Sequence, residues 1–333
     1  MTHAPTSTEA QPAADSRTEP AGYFAATYRA VLGNVERALC GKPQVARLAL
    51  TCLFAGGHLL IEDVPGVGKT TLAKAIANSL DASWHRVQFT PDLLPSDITG
   101  TTVYDQRSGE FDFRPGPVFA HVVLADEINR ASPKTQSALL EVMEERQVTA
   151  DGRTHEVPQP FMVIATQNPI DLEGTYRLPE AQLDRFLLRI GVGYPDLAAE
   201  QAMLTGRAAT GAPPTLNTVA TVEQVSWMVQ YTSRIHVAPA VAEYIATLAH
   251  ATRGRTELRL GVSPRGSLAL LRAAQTWAAC EGRGYVVPDD VKAVAEPVLA
   301  HRMLLDPESE LRGVRAGQVL TEVLRAVPIP ATA

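Results

Sequence analysis

His58-Leu59-Leu60-Ile61-Glu62-Asp63-Val64-Pro65-Gly66-Val67-Gly68-Lys69-Thr70-Thr71 is the stretch whose reading decides the fold. Its first half is a short apolar run of the kind a buried strand shows. Behind it, Leu72, Ile76 and Leu80 recur every fourth residue, one stripe of a helix that starts near Lys69. A glycine-rich turn between strand and helix lets backbone N–H groups curl around phosphate oxygens, and the helix N-terminus adds partial positive charge. In this reading Pro65, Gly66, Val67, Gly68 and Thr71 form the cradle. Lys69 reaches the β- and γ-phosphates of ATP, and the Thr70 hydroxyl binds Mg²⁺. Such loops usually open with glycine, and here that position is Asp63. Its carboxylate would repel phosphate unless it turns away, toward a backbone N–H.

Working outward, further apolar runs of strand type occupy residues 84–89, 122–125 and 161–165, each followed sooner or later by a helical pattern. Strands alternating with helices predict an α/β domain, a doubly wound parallel sheet covered on both faces. The run at 122–125 ends in Asp126-Glu127. Alone, such a pair is often a surface turn. At the carboxyl end of a buried strand, downstream of a phosphate loop, Asp126 fits as holder of the Mg²⁺ shell and Glu127 as the base that polarises the attacking water. The run at 161–165 ends in Thr166-Gln167-Asn168-Pro169. A parallel sheet would bring Asn168 to the same edge, where its amide can bond the γ-phosphate and the water.

Two arginines stand out. Residues 179–190 predict a helix with Pro179 in its first turn and Leu183, Phe186, Leu187 and Ile190 on one buried face. Arg185 lies off that stripe and is a candidate arginine finger for a neighbour's γ-phosphate, with Arg189 as the fallback. Ser263-Pro264 suits the N-cap and first position of another helix. That places Arg265 in a first turn, where the helix dipole disfavours a cation unless an anion sits nearby. Contact with nucleotide phosphate is the expected reason, and pairing with an Asp or Glu is the plainer one.

The chain of 333 residues suggests about two domains. Residues 1–20 read as a disordered tail and 21–205 as the α/β core. The stretch 206–220, with Gly211-Ala212-Pro213-Pro214, reads as a linker, and 221–333 as a helical domain. A 45% hydrophobic content is enough to build a core. The net charge of −6 argues against direct nucleic-acid binding. The three cysteines, Cys40, Cys52 and Cys280, form no CxxC pair, which excludes a disulfide scaffold and fits a reducing cytoplasm. The most apolar run, 48–61, is interrupted and too short for membrane insertion.

These motifs together resemble the MoxR-type AAA+ ATPases over nearly the whole chain beyond the tail. The resemblance is carried by the 56–70 stretch and by Ala125-Asp126-Glu127-Ile128-Asn129-Arg130-Ala131-Ser132-Pro133-Lys134-Thr135-Gln136, running on to Leu140-Glu141-Val142-Met143-Glu144-Glu145. Ala165-Thr166-Gln167-Asn168-Pro169, Leu183-Asp184-Arg185-Phe186 and Val262-Ser263-Pro264-Arg265 complete it in order. It implies an AAA+ P-loop core followed by a small all-α lid, with Asp63 an accepted variant of the loop. It also implies Asn168 as sensor 1, Arg185 as the finger and Arg265 as sensor 2. Residues 31–41 would wrap the adenine, with Leu39 and Gly41 as contacts. Two insertions, at 97–117 and 147–157, would face the pore of a homo-oligomeric, hexameric ring, and the second carries an Asp151-Gly152 hairpin turn. That hairpin shows no apolar stripe of its own. The resemblance implies Mg²⁺-dependent ATP hydrolysis driving chaperone-like remodelling of a protein substrate. Partners carrying von Willebrand factor A domains are implied as well. The alternatives are the motor subunit of a metal-chelatase-like complex and an ATP-gated assembly module with little turnover.

Overall fold

The computed structural model describes residues 20–107, 109–168, 175–210 and 215–330, without the side chains of 206–210. The expected tail, apart from Pro20, and the Gly-Pro stretch at 211–214 lie outside the described residues. Helices α1 (Pro20–Ala38) and α2 (Pro43–Phe54) precede β1 (Leu59–Glu62), which leads through the glycine loop into α3 (Lys69–Ser79). Then come β2 (Trp84–Gln88), the short α4 (Pro95–Thr99) and an antiparallel pair, β3 (Gly100–Asp105) and β4 (Glu110–Pro115). Strand β5 (Val122–Asp126) and helix α5 (Pro133–Glu145) precede a hairpin of β6 (Gln147–Ala150) and β7 (Arg153–Glu156). Strand β8 (Met162–Gln167), the one-turn α6 (Glu180–Leu183) and β9 (Leu188–Ile190) complete the core.

Five of these strands form one sheet in the order β2-β5-β8-β1-β9, and every pairing is parallel. The carboxyl ends of β1, β5 and β8 therefore share one edge, and the residues entering those strands share the other. Both faces are covered, and alternate residues feed different cores. Leu59, Ile61, Val122 and Leu124 point into one apolar cluster. Leu60, Val123 and Ala125 point into a second, against Leu139, Leu140 and Met143 of α5.

Beyond the core run α7 (Leu197–Thr210), α8 (Val222–Thr232), α9 (Pro239–Arg253), β10 (Leu258–Leu260) and α10 (Pro264–Cys280). The chain continues through α11 (Pro288–Leu299), β11 (Leu304–Leu305), α12 (Pro307–Leu311) and α13 (Ala316–Ala326). This helical part adds Leu248, Trp277, Val291 and Val319 to the first apolar cluster, so it rests on the α1–α2 side of the sheet through a continuous core.

Four expectations change. The helix expected over 179–190 is one turn of helix followed by a strand, because Leu188 and Ile190 pair with Leu59 and Ile61 of β1. Buried Leu188 and Ile190 around half-buried Arg189 are a period of two, which a short window confuses with a helical stripe. The helical part is not all-α, since β10 and β11 pair antiparallel. Helical backbone continues to Thr210, inside the stretch read as linker. The 147–157 hairpin is anchored, with Val148 and Val157 buried in the second cluster and His155 stacked on Phe113 at 4.0 Å.

Candidate active site

The glycine loop follows β1 at the carboxyl edge, next to the point where the chain leaves β1 for the far strand β2, which is where open α/β sheets bind ligands. Gly66 and Gly68 take φ of 87° and 101°, a left-handed region closed to most side chains. A Cβ on Gly66 would meet nothing within 4 Å, so the loop opens onto free space on that side. Lys69 is buried, and its Nζ donates to the Asp63 carbonyl at 2.8 Å. Burial pulls the ammonium below its usual pKa, and the carboxylates of Asp126, Asp63 and Glu127 oppose that pull. A cation desolvated among acceptors is one that a phosphate would stabilise. Thr70 and Thr71 sit in the first turn of α3 behind it, half-buried and exposed respectively.

Asp63 answers the question that its position raises. Its Oδ1 accepts from the Val64 N–H at 2.7 Å, and its Oδ2 accepts from Val192 at 2.7 Å and Gly193 at 2.5 Å. The carboxylate thus points away from the cradle and ties the loop to the chain leaving β9. Leu39 is buried against the loop, where a Cβ on Gly68 would come 3.1 Å from its Cδ1. Gly41, at φ 73°, has Ala199 of α7 where a Cβ would stand. Leu39 thus borders the loop, while Gly41 packs against α7.

On the neighbouring strands, Asp126 is buried and Glu127 follows it at φ 56°, a left-handed conformation costing a non-glycine residue about 1–3 kcal/mol. Thr166 of β8 holds the pair. Its hydroxyl donates to Asp126 Oδ1 at 2.6 Å and accepts from the Glu127 N–H at 2.8 Å. Arg86 of β2 donates to Asp126 Oδ2 at 2.6 Å, while Gln88 and Arg130 donate to Glu127 Oε2 at 2.9 and 3.0 Å. Buried Asn168 follows β8 on the same edge. Lys69, Thr70, Asp126, Glu127 and Asn168 are thus brought together. Sequence reasoning missed Thr166, Gln88 and Arg86. Their signal was positional: Gln88 is paired with Asp126 in register, and Thr166 lies beyond the Ala125–Ala165 pair.

Arg185 and Arg265 are elsewhere. The backbone of Leu187 donates to the His58 carbonyl at 2.8 Å, and His58 immediately precedes β1. Arg185 is therefore at the entering edge of the sheet, separated from the glycine loop by the length of β1, roughly 13 Å at about 3.3 Å per residue. Arg265, in the first turn of α10 behind the Ser263 N-cap, joins it there. Both reach one carboxylate: Arg185 Nε lies 3.0 Å from Glu144 Oε2, and Arg265 Nη2 lies 2.9 Å from Glu144 Oε1. Arg265 Nε is also 3.8 Å from Asp184. The expected contact of Arg265 with phosphate is accordingly not made to its own chain's loop, because α10 meets the core at the opposite edge. The fallback Arg189 instead pairs with Glu62 at 3.3 Å.

Arg302 and Arg272 fasten the helical part to this edge. Arg302, only 3% exposed, bonds Asp184 at 2.7 Å and the Phe186 carbonyl at 2.7 Å. Arg272 donates to the carbonyls of Ala55 and Gly56. These anchors fix where Arg265 stands.

A family profile described as the ATPase family associated with various cellular activities (AAA) matches residues 58–188, and one described as an AAA lid domain matches 250–323. The uncharacterised protein YeaC of Bacillus subtilis is 47% identical over 89% of this chain and 93% of its own length. Chaperone MoxR1 of Mycobacterium tuberculosis is 41% identical over 91% of this chain and 82% of its own. A crystal structure of a candidate ATPase from Cytophaga hutchinsonii superposes with a TM-score of 0.87 at 36% identity, covering 93% of this chain and 97% of that one.

Proposed function

The chain belongs to the MoxR-type AAA+ ATPases, and from that premise we propose that it hydrolyses ATP with Mg²⁺ at sites shared between copies in a ring, driving chaperone-like remodelling of a protein substrate. The observation that carries the reading is the division of charged groups between the two edges of one sheet. Groups able to hold a nucleotide lie at the carboxyl edge, and the arginines able to stabilise a transition state lie at the other.

Lys69 would bind the β- and γ-phosphates, and the open loop at Gly66 leaves room for them. Among the described residues no group of three or more His, Cys, Asp or Glu could hold a metal ion. Mg²⁺ keeps several waters and is held through one or two carboxylates plus substrate phosphates. Thr70 and Asp126 are the side chains that would hold it, and when bound it neutralises charge on the phosphates. Glu127 would polarise the attacking water, with Asn168 fixing the water and the γ-phosphate. Gln88 and Arg130 donate to Glu127 and hold its carboxylate in place beside the water it would polarise.

Arg185 and Arg265 cannot cross the sheet to their own nucleotide, so a second copy must present its loop to them. This favours assembly, and a hexamer is the expected closure. The name of MoxR1 supports a chaperone-like role, and von Willebrand factor A domain proteins are the partner class proposed. No helix among the described residues is long and apolar enough to cross a membrane, and a cytoplasmic site of action is proposed. The test is phosphate release at varied Mg²⁺ and protein concentration, with Glu127→Gln alongside. The expected result is turnover in wild type that rises with protein concentration, and a Glu127→Gln variant that binds ATP without hydrolysing it. Wild-type turnover in Glu127→Gln would overturn the assignment of the base.

A further inference from the structure

We propose that Glu144 is a positioning residue, locking Arg185 and Arg265 into a single anion receptor presented to the neighbouring copy's nucleotide. The proposal rests on the shared-site reading above and deepens its arginine half. The two guanidiniums come from distant parts of the chain, one from the turn before β9 and one from the start of α10, and the same carboxylate holds both. Each of its oxygens serves one arginine. A guanidinium has five N–H donors, so a carboxylate held at one nitrogen leaves others to meet a second anion.

The backbone beneath Glu144 is fixed on both sides. On one side, buried His58 donates from Nε2 to the Met143 carbonyl at 3.0 Å. On the other, Arg146 ends α5 in a left-handed conformation and donates to the Gly56 carbonyl at 3.0 Å and to Gln159 at 2.8 Å. A carboxylate in the last turn of a helix works against the helix dipole. Its placement there is offset by the arginines it meets.

The cavity around the pair has a volume of about 490 Å³ and is lined by five arginines against two carboxylates, Glu144 and Asp184. Arg302 is held by Asp184 and the Phe186 carbonyl, Arg272 donates to the carbonyls of Ala55 and Gly56, and Arg146 caps α5. Arg185 and Arg265 remain 30% and 49% exposed, so an incoming phosphate can reach both. Two guanidiniums and one carboxylate leave a net positive charge, so the receptor is held in shape while still attracting an anion. Were Glu144 only a competitor for the phosphate, its removal would speed hydrolysis.

The test uses the full chain and compares Glu144→Ala with Glu144→Gln. Own-site nucleotide affinity should stay at the wild-type value, since that site is on the other edge. The kcat should fall about 10²-fold in Glu144→Ala with KM little changed, as expected when reacting groups are misplaced by about 1 Å. Glu144→Gln should fall less, because its amide oxygen can still accept from one arginine. In the Arg185→Ala background, Glu144→Ala should cost less than in wild type, the non-additivity of residues acting through one another. Mixing Glu144→Ala with Lys69→Ala should restore activity, and melting temperatures establish that each variant folds. If Glu144→Ala and Glu144→Gln turn over as fast as wild type or faster, the proposal is overturned. If mixing Arg185→Ala with Lys69→Ala restores nothing while subunits exchange, the shared site itself fails and takes the proposal with it. Rescue in that control together with no rescue of Glu144→Ala overturns the role of Glu144 alone.

Discussion

The two edges of the sheet hold the same kinds of side chain to opposite effect. At the carboxyl edge a buried lysine stands among carboxylates, and each carboxylate is oriented by a named donor: Asp63 by three backbone N–H groups, Asp126 by Thr166 and Arg86, Glu127 by Gln88 and Arg130. At the entering edge the arginines outnumber the carboxylates five to two. One edge holds a cation for phosphate together with the acids for metal and water. The other carries surplus cations, positioned for charge that arises somewhere else. Substitutions at the two edges should therefore fail in different ways, one in affinity and one in rate at unchanged affinity.

The largest effect is expected from Arg185→Ala. A finger of this kind contributes on the order of 10³–10⁵ in rate, and the variant should fold and bind ATP with wild-type affinity. Stopped hydrolysis at intact binding sharpens the comparison. Lost binding would break it by placing Arg185 at its own nucleotide. Lys69→Ala is next and opposite in kind. It removes a charged donor to phosphate worth about 1.5–3 kcal/mol, so affinity should drop roughly 10- to 100-fold by titration. Equal affinity in wild type and Lys69→Ala would sink the phosphate assignment.

The carboxyl edge was largely legible in the sequence, because its chemistry is local. A strand, a glycine loop and a helix are contiguous, and Asp126, Glu127 and Asn168 each follow an apolar run directly. The direction of Asp63 was legible as a requirement, and the structure supplies Val192 and Gly193 as its partners. The entering edge was legible only in part. Arg185 and Arg265 could be singled out, but what unites them is Glu144, on a third segment, and no spacing rule links the three. The strand at 188–190 was missed because three residues give too short a window to separate periods of two and 3.6.

Asp63→Ala should show an intermediate effect, on stability first. It strips a charged acceptor from three backbone N–H groups in part-buried or exposed surroundings, and a hydrogen bond to a charged group is worth about 1.5–3 kcal/mol. The melting temperature should fall by several degrees, with a smaller loss of nucleotide affinity as the loop loosens from residues 192–193. If instead affinity rises at unchanged melting temperature, Asp63 acts by repelling phosphate, and the account of its turned-away carboxylate is wrong.

The smallest effect concerns His58, which joins the entering edge to α5 and β8. Its Nδ1 accepts from the Val163 N–H at 3.0 Å and its Nε2 donates to the Met143 carbonyl at 3.0 Å, so the neutral ring satisfies both. Burial pushes its pKa down to about 3; the bond to Met143 opposes this, and the Arg146 and Arg272 charges add to it. An unfolded chain takes up a proton on this ring below about pH 6.5, and the folded one does not until near 3. Between those values the unfolded state binds more protons. Stability is full above 6.5 and falls on acidification, by at most about 1.4 kcal/mol per pH unit. Buried His301 is also pushed well below its usual range, mainly by burial, and adds a slope of the same sign. Glutamine at position 58 can donate to Met143 and accept from Val163 without titrating. Unfolding free energies of wild type and His58→Gln at pH 7.5 and 5.5 separate the contributions. The wild type should lose about 1 kcal/mol more than the variant over that interval, and equal losses would mean that the ring beneath Glu144 is not held neutral.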